Sequence, residues 1–115
     1  MGYELHITRR DDWSDEGADI TLAEWLALVD ADPELRLDAQ SMPGPLGQGF
    51  ALWDAYVGDL PGAWFMHADG VVSTKAPDEA VLGKMLQIAG RLGAKVQGDD
   101  GERYTSAGLE NPVWD

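Results

Sequence analysis

Asp69-Gly70, set between the alternating runs Gly62–Ala68 and Val71–Lys75, constrains the fold of this chain more than any other feature. A two-residue hairpin loop needs positive φ at both central residues, and Asp-Gly adopts it readily. A hairpin closed there puts Trp64 opposite Lys75, Met66 opposite Ser73 and His67 opposite Val72. Successive strand side chains point to opposite faces. Trp64, Met66, Ser73 and Lys75 therefore share one face, and Phe65, His67, Val72 and Thr74 share the other.

The flanking sequence supplies the other elements. Residues 3–9 alternate, with Tyr3, Leu5 and Ile7 on one side and Glu4, His6 and Thr8 on the other, as in a half-buried strand. Asp11 to Asp19 is an acidic connection carrying Trp13. Thr21-Leu-Ala-Glu24 is a capping box, and Leu22, Trp25, Leu26 and Val29 follow at helical spacing. That helix should stop near Asp32, because Pro33 disfavours helical geometry in the residue before it. Leu35 and Leu37 suit a short extended piece. Residues 40–49, rich in Gly and Pro, read as a loop, and Phe50 to Val57 as a strand. A second helix is expected to begin at Pro77 and end at Gly93, with Val81, Met85, Ile88 and Leu92 as its apolar stripe. Gly83 and Gly90 inside it each cost about 1 kcal/mol relative to Ala, so close packing on the sheet should offset them. Ala94 to Gly98 and Glu102 to Thr105 form a second hairpin around Asp99-Asp100-Gly101, and the tail could fold back through Trp114.

The expected fold is thus α+β: a single mixed β-sheet in the order β-α-β-β-β-α-β-β, with two helices packed on one face. The opposite face stays bare unless the tail, the Gly/Pro loop or a second subunit covers it. The 115 residues fit a single domain, 1–115. With 44% hydrophobic residues and five tryptophans, they can bury a real core.

Charge and composition exclude whole classes. The 8 basic and 21 acidic side chains give a net charge of −13. Nucleic acids and anionic membranes need a Lys/Arg footprint, which is missing. Without cysteine there are no disulfides, zinc–thiolate sites or thiol nucleophiles. No apolar stretch reaches the ~18–20 residues of a membrane span, and the N-terminus has no secretory pattern. A cytoplasmic location is expected.

The chemistry-bearing candidates are few. His6 lies between Glu4 and Thr8, and His67 ends a hairpin strand beside Asp69. Both could converge with an acid from Asp99, Asp100 or Glu102, although no metal-ligand spacing such as His-Glu-x-x-His occurs. The Asp99–Glu102 turn lacks the ligand pattern of a calcium loop. A Ser73–His67–Asp69 relay is excluded by the hairpin register, which puts Ser73 and His67 on opposite faces. Of the tryptophans, Trp25 and Trp53 fit core faces, whereas Trp13, Trp64 and Trp114 are free to serve a partner surface. Lys75, opposite Trp64, and Tyr104, closing the second hairpin, complete the candidate surface.

The segment Tyr3-Glu-Leu-His-Ile-Thr-Arg9 with Trp13, the segment Trp64-Phe-Met-His with Asp69-Gly70, and the close Val96-Gln-Gly-Asp-Asp-Gly-Glu102 with Tyr104 resemble a group of small bacterial proteins with no assigned activity. The resemblance covers most of the chain. It implies a bacterial cytoplasmic origin and raises interest in His6, His67 and residues 99–104; it implies no catalytic residues. Three expectations follow. The first is a non-catalytic, acidic protein-binding module without metal or cofactor, of the kind that inhibits a basic enzyme. The second is a small metal-dependent enzyme or ligand-binding domain built on His6, His67 and the Asp99–Glu102 turn. The third is a structural homodimer.

Overall fold

The computed structural model describes residues 3–38, 44–105 and 113, with the side chains of 44–46 excepted. Its elements are β1 (Glu4–Thr8), α1 (Leu22–Ala31), β2 (Leu35–Leu37), a 3-10 helix (Gly44–Gly49), β3 (Phe50–Trp53), β4 (Trp64–Ala68), β5 (Val71–Lys75), α2 (Glu79–Leu92), β6 (Lys95–Gly98) and β7 (Arg103–Tyr104). The strands form one 7-stranded sheet in the order β2-β3-β4-β5-β1-β6-β7. The α+β class and the single sheet are as the sequence implied, and the order has one strand more than expected, because the short extended piece at Leu35–Leu37 joins the sheet as β2. Each neighbouring pair is antiparallel. Parallel directions do occur: β5 and β6 both oppose β1, which lies between them, so the α2 crossover joins two parallel strands that are not neighbours.

The β4–β5 hairpin has the expected register, with Met66 opposite Ser73 and His67 opposite Val72. Asp69 and Gly70 have φ of 52° and 81°, as a two-residue loop requires.

Both helices cover one face. Leu5 and Ile7 of β1, Phe65 of β4, Val72 of β5 and Val96 of β6 pack with Trp25, Leu28 and Val29 of α1 and with Val81, Leu82, Met85 and Ile88 of α2. Full burial of such a side chain contributes about 1.5–3 kcal/mol. Leu28 takes the core place expected of Leu26, which is half-buried. The Thr21–Glu24 capping box forms, and the Trp25 indole N–H donates to the Gly49 carbonyl at 2.9 Å, tying α1 to the 3-10 helix.

Four expectations need correction. α2 begins at Glu79, not Pro77, because the Asp78 carboxylate accepts from the Val81 amide and makes Asp78 the cap. β3 ends at Trp53, where the Asp54 amide turns to the Glu34 carbonyl, leaving Val57 86% exposed. Part of the Gly/Pro segment is helical (Gly44–Gly49), and residues 39–43 lie outside the described residues. A Cβ on Gly90 would meet nothing within 4 Å, so close packing does not explain that glycine. The tail returns through a bridge between Val113 and Arg103; Trp114 itself lies outside the described residues.

Candidate functional site

The sheet face away from the helices is not bare. β1 was expected to be half-buried, yet its outward residues His6 and Thr8 are 2% and 0% exposed. The cover is the segment from Asp11 to Asp19, and two side chains clamp it there. Arg10, 9% exposed, donates to the carbonyls of Gly17 (2.7 Å), Trp13 (3.0 Å) and Asp69 (2.6 Å) and to the Asp19 carboxylate (2.6 Å). Gln97, 2% exposed, accepts from the Trp13 amide (2.8 Å) and donates to the carbonyls of Asp11 and Gly101. The hairpin glycine permits this approach: a Cβ on Gly70 would lie 2.5 Å from the Asp19 carboxyl carbon.

Beneath that cover, His6 sits at the centre of a polar chain. Its Nε2 lies 2.8 Å from Asp99 Oδ1, and its Nδ1 lies 2.8 Å from Ser73 Oγ. A carboxylate oxygen can only accept, so in the neutral ring Nε2 carries the proton and the Ser73 hydroxyl donates to Nδ1. Trp13 stacks on the imidazole, centroids 3.8 Å apart and planes 11° from parallel. The Glu4 amide donates to Asp99 Oδ2 at 2.9 Å, and the Trp13 indole donates to the Asp99 carbonyl at 3.3 Å.

Beside this chain opens a cleft of about 650 Å³ between the Asp11–Asp19 segment and β1, β4 and β5. Its lining carries the carboxylates of Glu4, Asp15, Glu16, Asp19 and Asp69. The cation among its lining residues is Arg10, already engaged by four acceptors. Such a lining favours cationic groups and repels anions. Ser73, His6 and Asp99 have the connectivity of a nucleophile–base–acid relay. Catalysis of acyl transfer also needs donors aimed at the developing oxyanion. Ser73 lies mid-strand, where backbone amides serve the ladders to β1 and β4, and the acidic lining opposes an oxyanion. The arrangement suits binding better than turnover.

The sequence candidates divide between the two faces. His6, Trp13 and Asp99 come together. Trp64 is half-buried on the same sheet face, its ring 5.5 Å from that of Phe50. The Lys75 ammonium lies 4.0 Å from the Glu4 carboxylate at the edge of the site. His67 does not converge with His6: it points to the helix side, and its Nε2 lies 2.6 Å from the Ile20 carbonyl. Asp100 is exposed, its amide donating to the Tyr3 hydroxyl at 3.3 Å. Tyr104 is buried and donates to the Glu102 carboxylate at 3.1 Å. Glu102 also accepts from Tyr3, and its Oε1 is buried without a hydrogen-bond partner among the described residues. Burial, then the bond to Glu102, pushes the Tyr104 hydroxyl up to about 12.

Glu4, Arg10 and Gln97 were not singled out from the sequence, and Ser73 was considered only with His67 and set aside. Alternation alone put Glu4 beside His6. Ser73 could be matched to His6 only by knowing that β5 pairs with β1. No helix among the described residues is long and apolar enough to cross a membrane. No protein-family model, curated protein or solved structure matches the chain.

Proposed function

We propose that this chain is a non-catalytic, acidic protein-binding module whose partner is a basic protein, in the manner of an immunity-type inhibitor seated in an enzyme's cationic groove. The observation that carries this reading is the cleft lined by Glu4, Asp15, Glu16, Asp19 and Asp69, with the Arg10 guanidinium beside them already engaged. Next to it, Leu52, Trp64 and Met66 stand half-exposed on the same face. An aromatic anchor beside a charged rim is the usual anatomy of a specific interface. Opposite charge steers encounter, and association then slows as salt rises. Nucleic acid and anionic membrane are poor partners for the same reason. A bacterial cytoplasmic setting agrees with the sequence resemblance.

Native mass spectrometry on protein isolated gently at low salt tests the reading. A heteromeric mass containing a basic protein is the expected result. With that pair purified, Asp15→Lys/Glu16→Lys should slow association and flatten its salt dependence, while Trp64→Ala should speed dissociation. A homodimer without partner, or a complex indifferent to both changes, would overturn it.

A further inference from the structure

Glu4 and His6 are two residues apart on β1 and so share a face. The neighbouring strand pairs Gly98 with Leu5, which sets the next residue, Asp99, alongside Glu4. One donor atom from each of Glu4, His6 and Asp99 lies within 4.8 Å of the others. The histidine distinguishes this cluster from an ordinary acidic surface. Its side chain is 3% exposed, whereas those of Asp99 and Glu4 are 35% and 36% exposed. An anchored imidazole therefore faces two carboxylates that solvent can reach. Among the described residues the nearby cation is Lys75, with 4.0 Å between its ammonium and Glu4. Two carboxylates so placed repel each other unless a cation lies between them.

We propose that Glu4, His6 and Asp99 bind one divalent first-row transition ion, with coordination positions left open to solvent and the cleft. This inference does not depend on the partner reading. Metal-bound nitrogen and oxygen donors sit about 2.0–2.2 Å from such an ion, which separates adjacent donors by roughly 3 Å. His6 Nε2 and Asp99 Oδ1 are already 2.8 Å apart, and the half-exposed Glu4 side chain, with an oxygen in a donor set that spans no more than 4.8 Å, would swing inward to complete the site. One imidazole with two carboxylates favours Zn²⁺ and its neighbours over Mg²⁺ or Ca²⁺, which prefer all-oxygen sites. Ser73 makes exchange of proton for metal possible. When the ion takes the Nε2 lone pair, the ring proton moves through solvent to Nδ1, and Ser73 Oγ, 2.8 Å away, changes from donor to acceptor. A hydroxyl does this by rotating its hydrogen. The partner on the second ring nitrogen then fixes the metal-binding tautomer, as such partners commonly do.

The test uses tag-free, ¹⁵N-labelled protein, stripped with chelator and titrated with Zn²⁺ alone. Imidazole ¹⁵N–¹H correlation spectra should show the His6 proton on Nε2 before metal and on Nδ1 after it. His67, whose Nε2 faces a backbone carbonyl at 2.6 Å, should not change and serves as the internal control. Calorimetry should give one ion per chain, with Glu4→Gln and Asp99→Asn each weakening binding about tenfold or more. Both altered side chains are partly exposed, and circular dichroism reports whether the variants fold. Unmoved His6 resonances in excess Zn²⁺, or folded variants that bind as the parent does, would overturn the proposal.

Discussion

Asp32→Ala should be among the most damaging single substitutions in this chain, and its cost can be worked from its contacts. Asp32 is 3% exposed. One carboxylate oxygen accepts from Lys84 Nζ at 2.7 Å and Arg91 Nη1 at 2.9 Å, and the other accepts from the Glu34 amide at 2.9 Å. Lys84 is 5% exposed and cannot reach bulk water where it stands. Breaking a buried ion pair from one side costs about 3–5 kcal/mol, because the other charge is stranded. Here Lys84 keeps Glu34 and Gln87, each at 3.0 Å, which places the loss near the lower end, about 3 kcal/mol. The orphaned Glu34 amide adds about 1 kcal/mol. A total of about 4 kcal/mol is a large part of the stability of a domain this size.

Urea unfolding followed by tryptophan fluorescence measures the loss. Lys84→Met keeps most of the apolar stem, leaves Asp32 paired with Arg91, and should cost about half as much. The double variant Asp32→Ala/Lys84→Met strands no ammonium. It should be more stable than Asp32→Ala alone, giving a coupling energy above about 1 kcal/mol. Additive losses, or less than about 1 kcal/mol for Asp32→Ala, would refute the reasoning and mean that the Lys84 charge relaxes into solvent.

Three further outcomes are expected. Gly90→Ala should raise stability by about 0.5–1 kcal/mol, read as a higher melting temperature, because Gly90 lies inside α2 and its added methyl meets nothing within 4 Å. Melting temperature should hold near neutral pH and fall below about pH 4. Burial alone would raise the Asp32 carboxyl, but the Lys84 bond, the Glu34 amide and the nearby charges outweigh it, and the Arg9 bond brings Glu24 down to about 2. Depressed folded-state values stabilise above the unfolded pKa and lose that stabilisation as pH falls through the folded one. A melting temperature flat to pH 2 would contradict this. Gln97→Leu should release the Asp11–Asp19 cover at about 1–3 kcal/mol and speed hydrogen exchange at the Trp13 amide, and unchanged exchange there would mean that the bonds from Arg10, Lys95 and the Trp13 indole hold the cover without Gln97.

Local rules made the elements legible. Asp69-Gly70 and the Thr21–Glu24 box each act within a few residues and appear as read, whereas the alternation of β1 located the strand but not the burial of its polar side. Strand order was not legible, because nothing in β1 says that β5 and β6 will flank it. The site was therefore half visible. His6 and Asp99 were candidates, but His67 was paired with them on composition, and β4 aims it at the helix side. The cover over His6 was missed because Asp11–Asp19 reads as a solvated acidic loop. Its attachment comes from Arg10 and Gln97, whose partners are mostly backbone carbonyls that no side-chain pattern announces.

The use of the basic residues decides how the net charge should be understood. Arg9 pairs with Glu24, Arg10 with Asp19, Arg36 with Asp54, Lys84 and Arg91 with Asp32, and Lys75 with Glu4, while Lys95 donates to the Asp11 carbonyl. These cations are engaged within the fold, so the acidic excess is an outward property. Solubility alone would be served by any scatter of that excess. Instead, Glu4, Asp15, Glu16, Asp19 and Asp69 line one cleft, over a sheet face whose imidazole is held by Ser73, Asp99 and Trp13. A partner's ammonium or guanidinium and a divalent ion are both cations suited to that face, but they call on different residues. Asp15 and Glu16 belong to the exposed rim, and Glu4 and Asp99 to the histidine. Substitutions in the two pairs should therefore separate partner binding from metal binding.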